Sequence, residues 1–238
     1  MSARERIVYQ ELEPCPYIEG ESSLMPLRWQ LWRLTPTEFD RSLAQGDRRV
    51  GKMLYRTECP DCKACEPIRV PVRTFKRSKS QRRTWNKCAE VEVEIGRVLF
   101  TATRLKMYNR HKHERGLAKN ERLMTRESYE GWFSKTCTDT QEFRYKLNGK
   151  IIGISVLDFG ENDASSVYFF FDPDYSHLSL GTFSALYEID WMNRNGMRYY
   201  YLGLFVESCA HLKYKSRYYP NERLINGQWV RFDSKPKS

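Results

Sequence analysis

The sequence contains no apolar run long enough to cross a bilayer. Its apolar runs, such as residues 151–157 and 167–171, are of strand length, far below the roughly 20 residues a spanning helix needs. No apolar stretch as long as a signal-peptide core follows the charged opening residues 1–6. These two absences predict a cytoplasmic protein with no membrane partner. Histidine is scarce and scattered: His111, His113, His177 and His211 are the only four. They are read as surface or packing residues, not as a metal site. No Ser/His/Asp arrangement, metal-hydrolase motif, internal repeat or low-complexity segment is visible. Acidic residues number 30 against 40 Lys and Arg, leaving a net charge of +10.

That excess is not spread evenly. Basic residues cluster at 73–83 (RTFKRSKSQRR), 104–115 and 213–217. Such clusters neutralise phosphates and release counterions. Aromatics reach 14%, including 15 Tyr. Flat side chains beside cations suit unpaired bases, although most of these rings are expected in the core. The 238 residues are enough for one large domain or two small ones with a real apolar core.

Seven cysteines, an odd number, do not suggest a disulfide framework in a reducing compartment. Cys59, Cys62 and Cys65 form C-P-D-C-K-A-C, with Cys15 in a Pro-rich loop as the obvious fourth member. Thiolates spaced this way fit zinc or an iron–sulfur cluster. The same residues also fit small buried or free thiols, and both readings stand at this point.

Secondary structure can be placed from capping and periodicity. Residues 11–27 read as an extended loop and 29–34 as a short strand. Thr35-Pro36-Thr37-Glu38 is a capping box with Pro at the first helical position, and Gly46 closes that helix. Residues 49–56 and 67–72 read as strands flanking the cysteine loop. A helix begins at Ser78 with Gln81 in capping register, and residues 91–95 alternate as a half-buried strand. Residues 101–115 and 125–135 read as helices, joined by a loop that starts at 116–120. In the second half, 142–147 and 151–159 are strands joined by the Asn148-Gly149 hairpin signal. A turn at 161–164 leads to a strand at 167–171. Residues 180–194 form an amphipathic helix stopped by Gly196. A strand at 198–202, a short basic helix at 209–217 and a hairpin at Asn226-Gly227 complete the chain. The order predicts an α+β fold: a mixed or antiparallel sheet with flanking helices, topologically N-acetyltransferase-like. A smaller N-terminal α+β part, residues 1–100, carries the cysteine loop, and residues 101–238 form the acetyltransferase-like domain.

The motifs along the chain resemble one family. They are Cys15-Pro16-Tyr17; Leu54-Tyr55-Arg56; Cys62-x-x-Cys65-x-Pro67-x-Arg69-Val70; Phe75-x-x-Ser78-x-Ser80-Gln81-Arg82-Arg83; Tyr168-x-Phe170-Phe171-Asp172-Pro173-Asp174; Ser179-Leu180-Gly181-Thr182; and Tyr201-Leu202-Gly203, followed by Cys209, Tyr214-Lys215 and Tyr219-Pro220. Their order is similar to that of the bacterial leucyl-tRNA–protein transferases and the related arginyl-tRNA–protein transferases. The resemblance implies an acetyltransferase-like catalytic domain, an aminoacyl-tRNA donor, with leucine expected and arginine the alternative, and acceptor proteins with an acidic first residue. It also implies that acceptors are marked for degradation.

The residue chemistry agrees with this reading. An aminoacyl ester is already activated, so the enzyme mainly has to hold an amine against a carbonyl, and no cofactor is required. A base must take the amine's proton unless the amine arrives neutral. Asp172 and Asp174, with Tyr168 on the same strand end, are the catalytic candidates. The alternative for the two carboxylates is turn formation around Pro173. An acidic acceptor calls for Arg: Arg82 and Arg83, with Ser80 and Gln81 at a helix start that favours anions, then Arg56 and Arg69. Lys213, Lys215, Arg217, Arg77 and Lys79 are the expected phosphate contacts. Two rival functions share some of these features. A CoA-dependent N-acyltransferase would wrap pyrophosphate in a Gly-rich turn, but residues 177–182 hold one glycine, Gly181. A zinc-dependent RNA-binding module without catalysis explains the charge and cysteines but not the regular second half.

Overall fold

Helix starts follow their capping chemistry. In the computed structural model, which describes residues 4–118 and 122–234, Thr35 caps α1 (Pro36–Ala44) through a reciprocal capping box with Glu38. Ser78 and Gln81 do the same for α2 (Lys79–Lys87). The later helices are α3 (Ala102–Glu114), α4 (Arg126–Tyr129), α5 (Leu180–Arg194) and α6 (Ala210–Lys213). α4 runs on as a wider π turn over Glu130–Ser134, so the helix expected at 125–135 is regular only in its first turn. α6 continues as a 3-10 turn over Tyr214–Arg217. The loop expected at 116–120 falls in part on residues 119 and 120, outside the described residues.

The strands are β1 (Glu5–Tyr9), β2 (Leu12–Pro14), β3 (Ser22–Leu24), β4 (Leu27–Gln30), β5 (Arg48–Val50), β6 (Met53–Tyr55), β7 (Glu66–Pro71), β8 (Glu92–Arg97), β9 (Asp139–Leu147), β10 (Lys150–Phe159), β11 (Asp163–Phe171), β12 (Tyr199–Phe205), β13 (Asn221–Ile225) and β14 (Gln228–Phe232). The segment expected as a single strand at 49–56 is a tight hairpin, β5 on β6. Gly51, at φ +58°, lets the chain reverse there. The Asn148-Gly149 turn has positive φ at both residues, 50° and 75°, as a type I′ hairpin requires.

Among the described residues the strands form an eight-stranded sheet in the order β14-β13-β7-β12-β11-β10-β9-β8, a four-stranded sheet β1-β4-β6-β5 and the pair β2-β3. Of the first 100 residues, β1–β6 stay in the two small sheets, whereas β7 and β8 are strands of the large one. The architecture is α+β, a large mixed sheet flanked by helices. α5 packs on one face through Leu186, Ile189 and Met192 against Ile68, Phe143 and Leu157. Met107 and Tyr108 of α3, with Tyr129 and Phe133, cover the other face over Ile154, Val156 and Phe170. The small sheet is fastened to the large one by a buried ion pair, Arg49 Nε to Asp158 Oδ2 at 2.5 Å.

All pairs in the large sheet are antiparallel except β11 and β12, which α5 connects. Their parallel register covers only Asp163↔Tyr199, Ala164↔Tyr200 and Ser165↔Tyr201. Beyond it β11 pairs only with β10 and β12 only with β7. The two strands therefore part in the middle of the sheet.

Candidate active site

The parting of β11 and β12 opens a cleft of about 720 Å³. Ser166, Val167, Tyr168 and Phe169 of β11 form one wall, and the first turns of α5 close another. The segment from Ala210 to Tyr218 lies across it, and Arg48 reaches in from the small sheet. α5 begins at Ser179, which adopts a left-handed conformation (φ 56°), so the helix's first N–H groups stand at the cleft. This end of a helix favours an anion.

Two cations mark one side. The Lys215 ammonium donates to the Leu204 carbonyl at 2.9 Å. Burial, with the Arg48 charge adding to it, pulls its pKa down to about 7. Arg48 Nε donates to the Tyr55 hydroxyl at 3.2 Å, while its buried Nη1 has no hydrogen-bond partner. Gly203, at φ +96°, makes room for this guanidinium: a Cβ there would run into it. Among the described residues the one carboxylate in the lining is Glu188 of α5. The Tyr145 hydroxyl donates to its Oε1 at 2.8 Å and the Tyr200 hydroxyl to its Oε2. Burial pushes its pKa up to about 7, against the pull of these hydroxyls. His111 also lines the cleft. Its Nδ1 accepts the Phe171 N–H at 3.3 Å, and burial, then Arg115, lowers its pKa to about 4.

Of the residues expected from the sequence, Tyr168 and Lys215 line this cleft. Lys215, expected among the phosphate contacts, lies in the cleft instead of on the outer basic surface. Asp172 and Asp174 lie outside the lining. Asp172 accepts from Arg110 and Lys150, at 3.0 and 2.9 Å, and from the Asp174 N–H. Burial opposes its ionisation, but the Lys150 bond, the Asp174 N–H and the Arg110 charge outweigh it and hold the carboxyl below its ordinary value. Such a carboxylate is a poor proton acceptor at neutral pH; it ends β11 and turns the chain. Asp174 is exposed and paired with Arg110 at 3.1 Å.

The arginine candidates are dispersed. Arg69 is packed between Tyr199 and Trp229, its guanidinium carbon 3.7 and 4.0 Å from the ring centres, and paired with Glu222 at 2.7 Å. Its charge is engaged within the sheet, outside the cleft lining. Arg56 pairs with Asp47 at 2.9 Å beside the cysteines. Ser80, Arg82 and Arg83 are exposed on α2, which packs on α5 outside the cleft. Buried Gln81 reaches the Arg217 carbonyl at 3.2 Å. Arg77 stacks on Trp85 and pairs with Asp190, Lys213 pairs with Glu207, and Lys79 and Arg217 are exposed.

Cys15, Cys59, Cys62 and Cys65 line one separate pocket of about 290 Å³. Burial, followed by the fields of Cys15 and Cys59, pushes the Cys65 thiol up to about 12. Among the described residues no three metal-type side chains converge closely enough to hold an ion.

Arg48, Glu188 and Tyr200 also line the cleft and belong to none of the candidate sets read from the sequence. Glu188 did carry a signal: it occupies the core-facing stripe of α5 with Ala185, Ile189 and Met192, where an acid is costly without a purpose.

The C-terminal model described as "Arginine-tRNA-protein transferase, C terminus" matches residues 103–225, and its N-terminal counterpart matches residues 13–83. The chain belongs to the arginine-tRNA-protein transferase family. Its relatives include a protein of Aeromonas hydrophila named aspartate/glutamate leucyltransferase, 30% identical over 94% of this chain and 93% of that one. A protein of Saccharophagus degradans with the same name is 32% identical over 92% and 93%. Two solved structures are similar more loosely: L-PGS from Bacillus licheniformis (14% identity, TM-score 0.46, covering 71% of this chain and 50% of that one) and FemX (10%, 0.44, covering 82% and 79%). As a member of the family the enzyme is an aminoacyl-tRNA–protein transferase.

Proposed function

We propose that this transferase moves leucine from charged tRNA to the α-amine of proteins beginning with Asp or Glu. The amine nitrogen attacks the ester carbonyl, the carbon–oxygen bond to the ribose breaks, and the ribose oxygen leaves as a hydroxyl. No cofactor enters, because the ester is already activated. The observation that carries the reading is the cleft between the parted strands, with Arg48 and Lys215 on one side of it. An acceptor carboxylate seated there meets the unpartnered Arg48 Nη1 and a lysine that gains a proton as the anion arrives. The start of α5 offers a seat for the terminal nucleotide's phosphate, and exposed Lys79, Arg217, Arg82 and Arg83 extend the basic surface for tRNA.

The single parallel pair, the cleft at its divergence and the helix connecting its strands support an N-acetyltransferase-like reading of the sheet. Gly181 alone at the head of α5 favours RNA over CoA. The enzyme works in the cytoplasm, where charged tRNA is found, and marks its acceptors for degradation. A zinc ion or iron–sulfur cluster at the four cysteines is a separate proposal: they share one pocket, but an ion would have to draw them closer than they stand; elemental analysis of anaerobically purified protein tests it.

The decisive experiment offers purified protein leucyl-, arginyl- and phenylalanyl-tRNA with peptides beginning with Asp, Glu, Asn, Arg or Lys. Leucine on the Asp and Glu peptides is the expected product. Transfer of a different amino acid, or equal transfer to Asn and Asp peptides, overturns the donor or the acceptor assignment respectively.

A further inference from the structure

The Glu188 carboxylate lies in the wall of the cleft at 1% exposure. Among the described residues it has no cationic partner. Its carboxylate accepts from the hydroxyls of Tyr145 on β9 and Tyr200 on β12, and the Ser155 hydroxyl of β10 also favours its charged form. The other ionisable groups that feel its charge are Tyr214 and Tyr218, beyond α6. Ser155, Ser166 and Ser184 line the same part of the cleft. A buried carboxylate without a counter-ion is costly, and a purely structural one would be cheaper as an amide. At the wall of a substrate cleft, the missing counter-ion can be supplied by the substrate. The reaction brings one in every cycle: the acceptor arrives as an α-ammonium and must lose a proton before it attacks.

We propose that Glu188 takes the proton from the acceptor's α-ammonium, with Tyr145 and Tyr200 holding its carboxylate in place. This rests on the transferase reading above and names the group that reading leaves open. The ammonium gives one proton to a Glu188 oxygen. The freed nitrogen lone pair forms the bond to the ester carbon, and the carbon–oxygen bond to the ribose breaks. The nitrogen's second proton goes to the leaving ribose oxygen, and the proton on Glu188 leaves to water through the cleft mouth. A carboxyl near 7 is well matched to an α-amine near ~8.

The test is transfer from leucyl-tRNA to an Asp-starting peptide between pH 6 and 9.5. Saturating acceptor keeps titration of Lys215 in the free enzyme out of the measured kcat. In the wild type, kcat should rise through an acidic limb near 7. Glu188→Gln should lower kcat about 100-fold or more at pH 7. Its limb should move to ~8, the value of the amine itself, and the deficit should shrink as pH rises. KM for leucyl-tRNA should not change. Tyr200→Phe removes a hydrogen bond that favours the charged carboxylate, so its limb should move above that of the wild type; this arm holds even if Glu188→Gln folds poorly. An equal loss at every pH, an unchanged profile, or a loss confined to the leucyl-tRNA KM overturns the proposal. Absence of transfer by the wild type overturns the transferase reading itself, whatever the variants do.

Discussion

Lys215 donates its ammonium proton to the Leu204 carbonyl at 2.9 Å, close enough to Arg48 for the two charges to compete. The free lysine is protonated below about 7 and loses its proton above it. A carboxylate binds the protonated form. KM for an Asp-starting peptide should therefore be flat below pH 7 and climb up to tenfold per pH unit above it. KM for an Asn-starting peptide should show no such climb. Lys215→Ala should weaken the Asp peptide by about 2–5 kcal/mol and abolish the difference. Peptide kinetics across pH measure both effects; parallel curves for the two wild-type peptides would place the carboxylate elsewhere.

Arg82 and Arg83 stand exposed on α2, away from the cleft. Their replacement by Ala should leave the preference for acidic acceptors intact. tRNA affinity should fall instead, and the slope of log K against log salt should drop by about 0.7–0.9 for each lost phosphate contact. Lys79→Ala and Arg217→Ala should behave alike. Arg77→Ala should change the slope less, since that side chain is engaged with Trp85 and Asp190. Filter binding at several salt concentrations, run beside peptide competition, separates the two roles.

The Arg49–Asp158 pair joins the two sheets with both side chains essentially inaccessible. Asp158→Ala strands a buried guanidinium and should cost about 3–5 kcal/mol in urea unfolding. Pairing it with Arg49→Ala should recover part of that loss. A double-mutant cycle with zero coupling would show that the pair does not hold the sheets together.

Gly203 combines a left-handed backbone with contact against Arg48. Gly203→Ala should destabilise the fold by more than about 1 kcal/mol and displace the guanidinium. KM for acidic acceptors should rise while affinity for tRNA stays. An unchanged acceptor KM would mean that Arg48 does not contact the acceptor.

The sequence by itself determined the local elements and the family. Thr35–Glu38 and Ser78–Gln81 place two helix starts because a capping box closes within four residues. Asn148-Gly149 and Asn226-Gly227 place hairpins because both turn residues need positive φ. These signals are short-range, so neighbours in the chain suffice to read them. The charge clusters and the ordered motifs are equally legible in one dimension. Only the tertiary structure decided which side chains share the cleft. In the sequence Asp172 and Asp174 around Pro173 fit a catalytic role or a turn; in the fold Arg110 from α3 and Lys150 from β10 neutralise Asp172. Arg69 looked like a substrate clamp until Tyr199 and Trp229 closed around it. Arg48, Glu188 and Lys215 are separated by up to 167 residues and share a cleft only because two parallel strands part after three paired residues. Burial, ion pairing and the shifts they impose depend on neighbours brought together by that topology, and no local pattern in the chain encodes them.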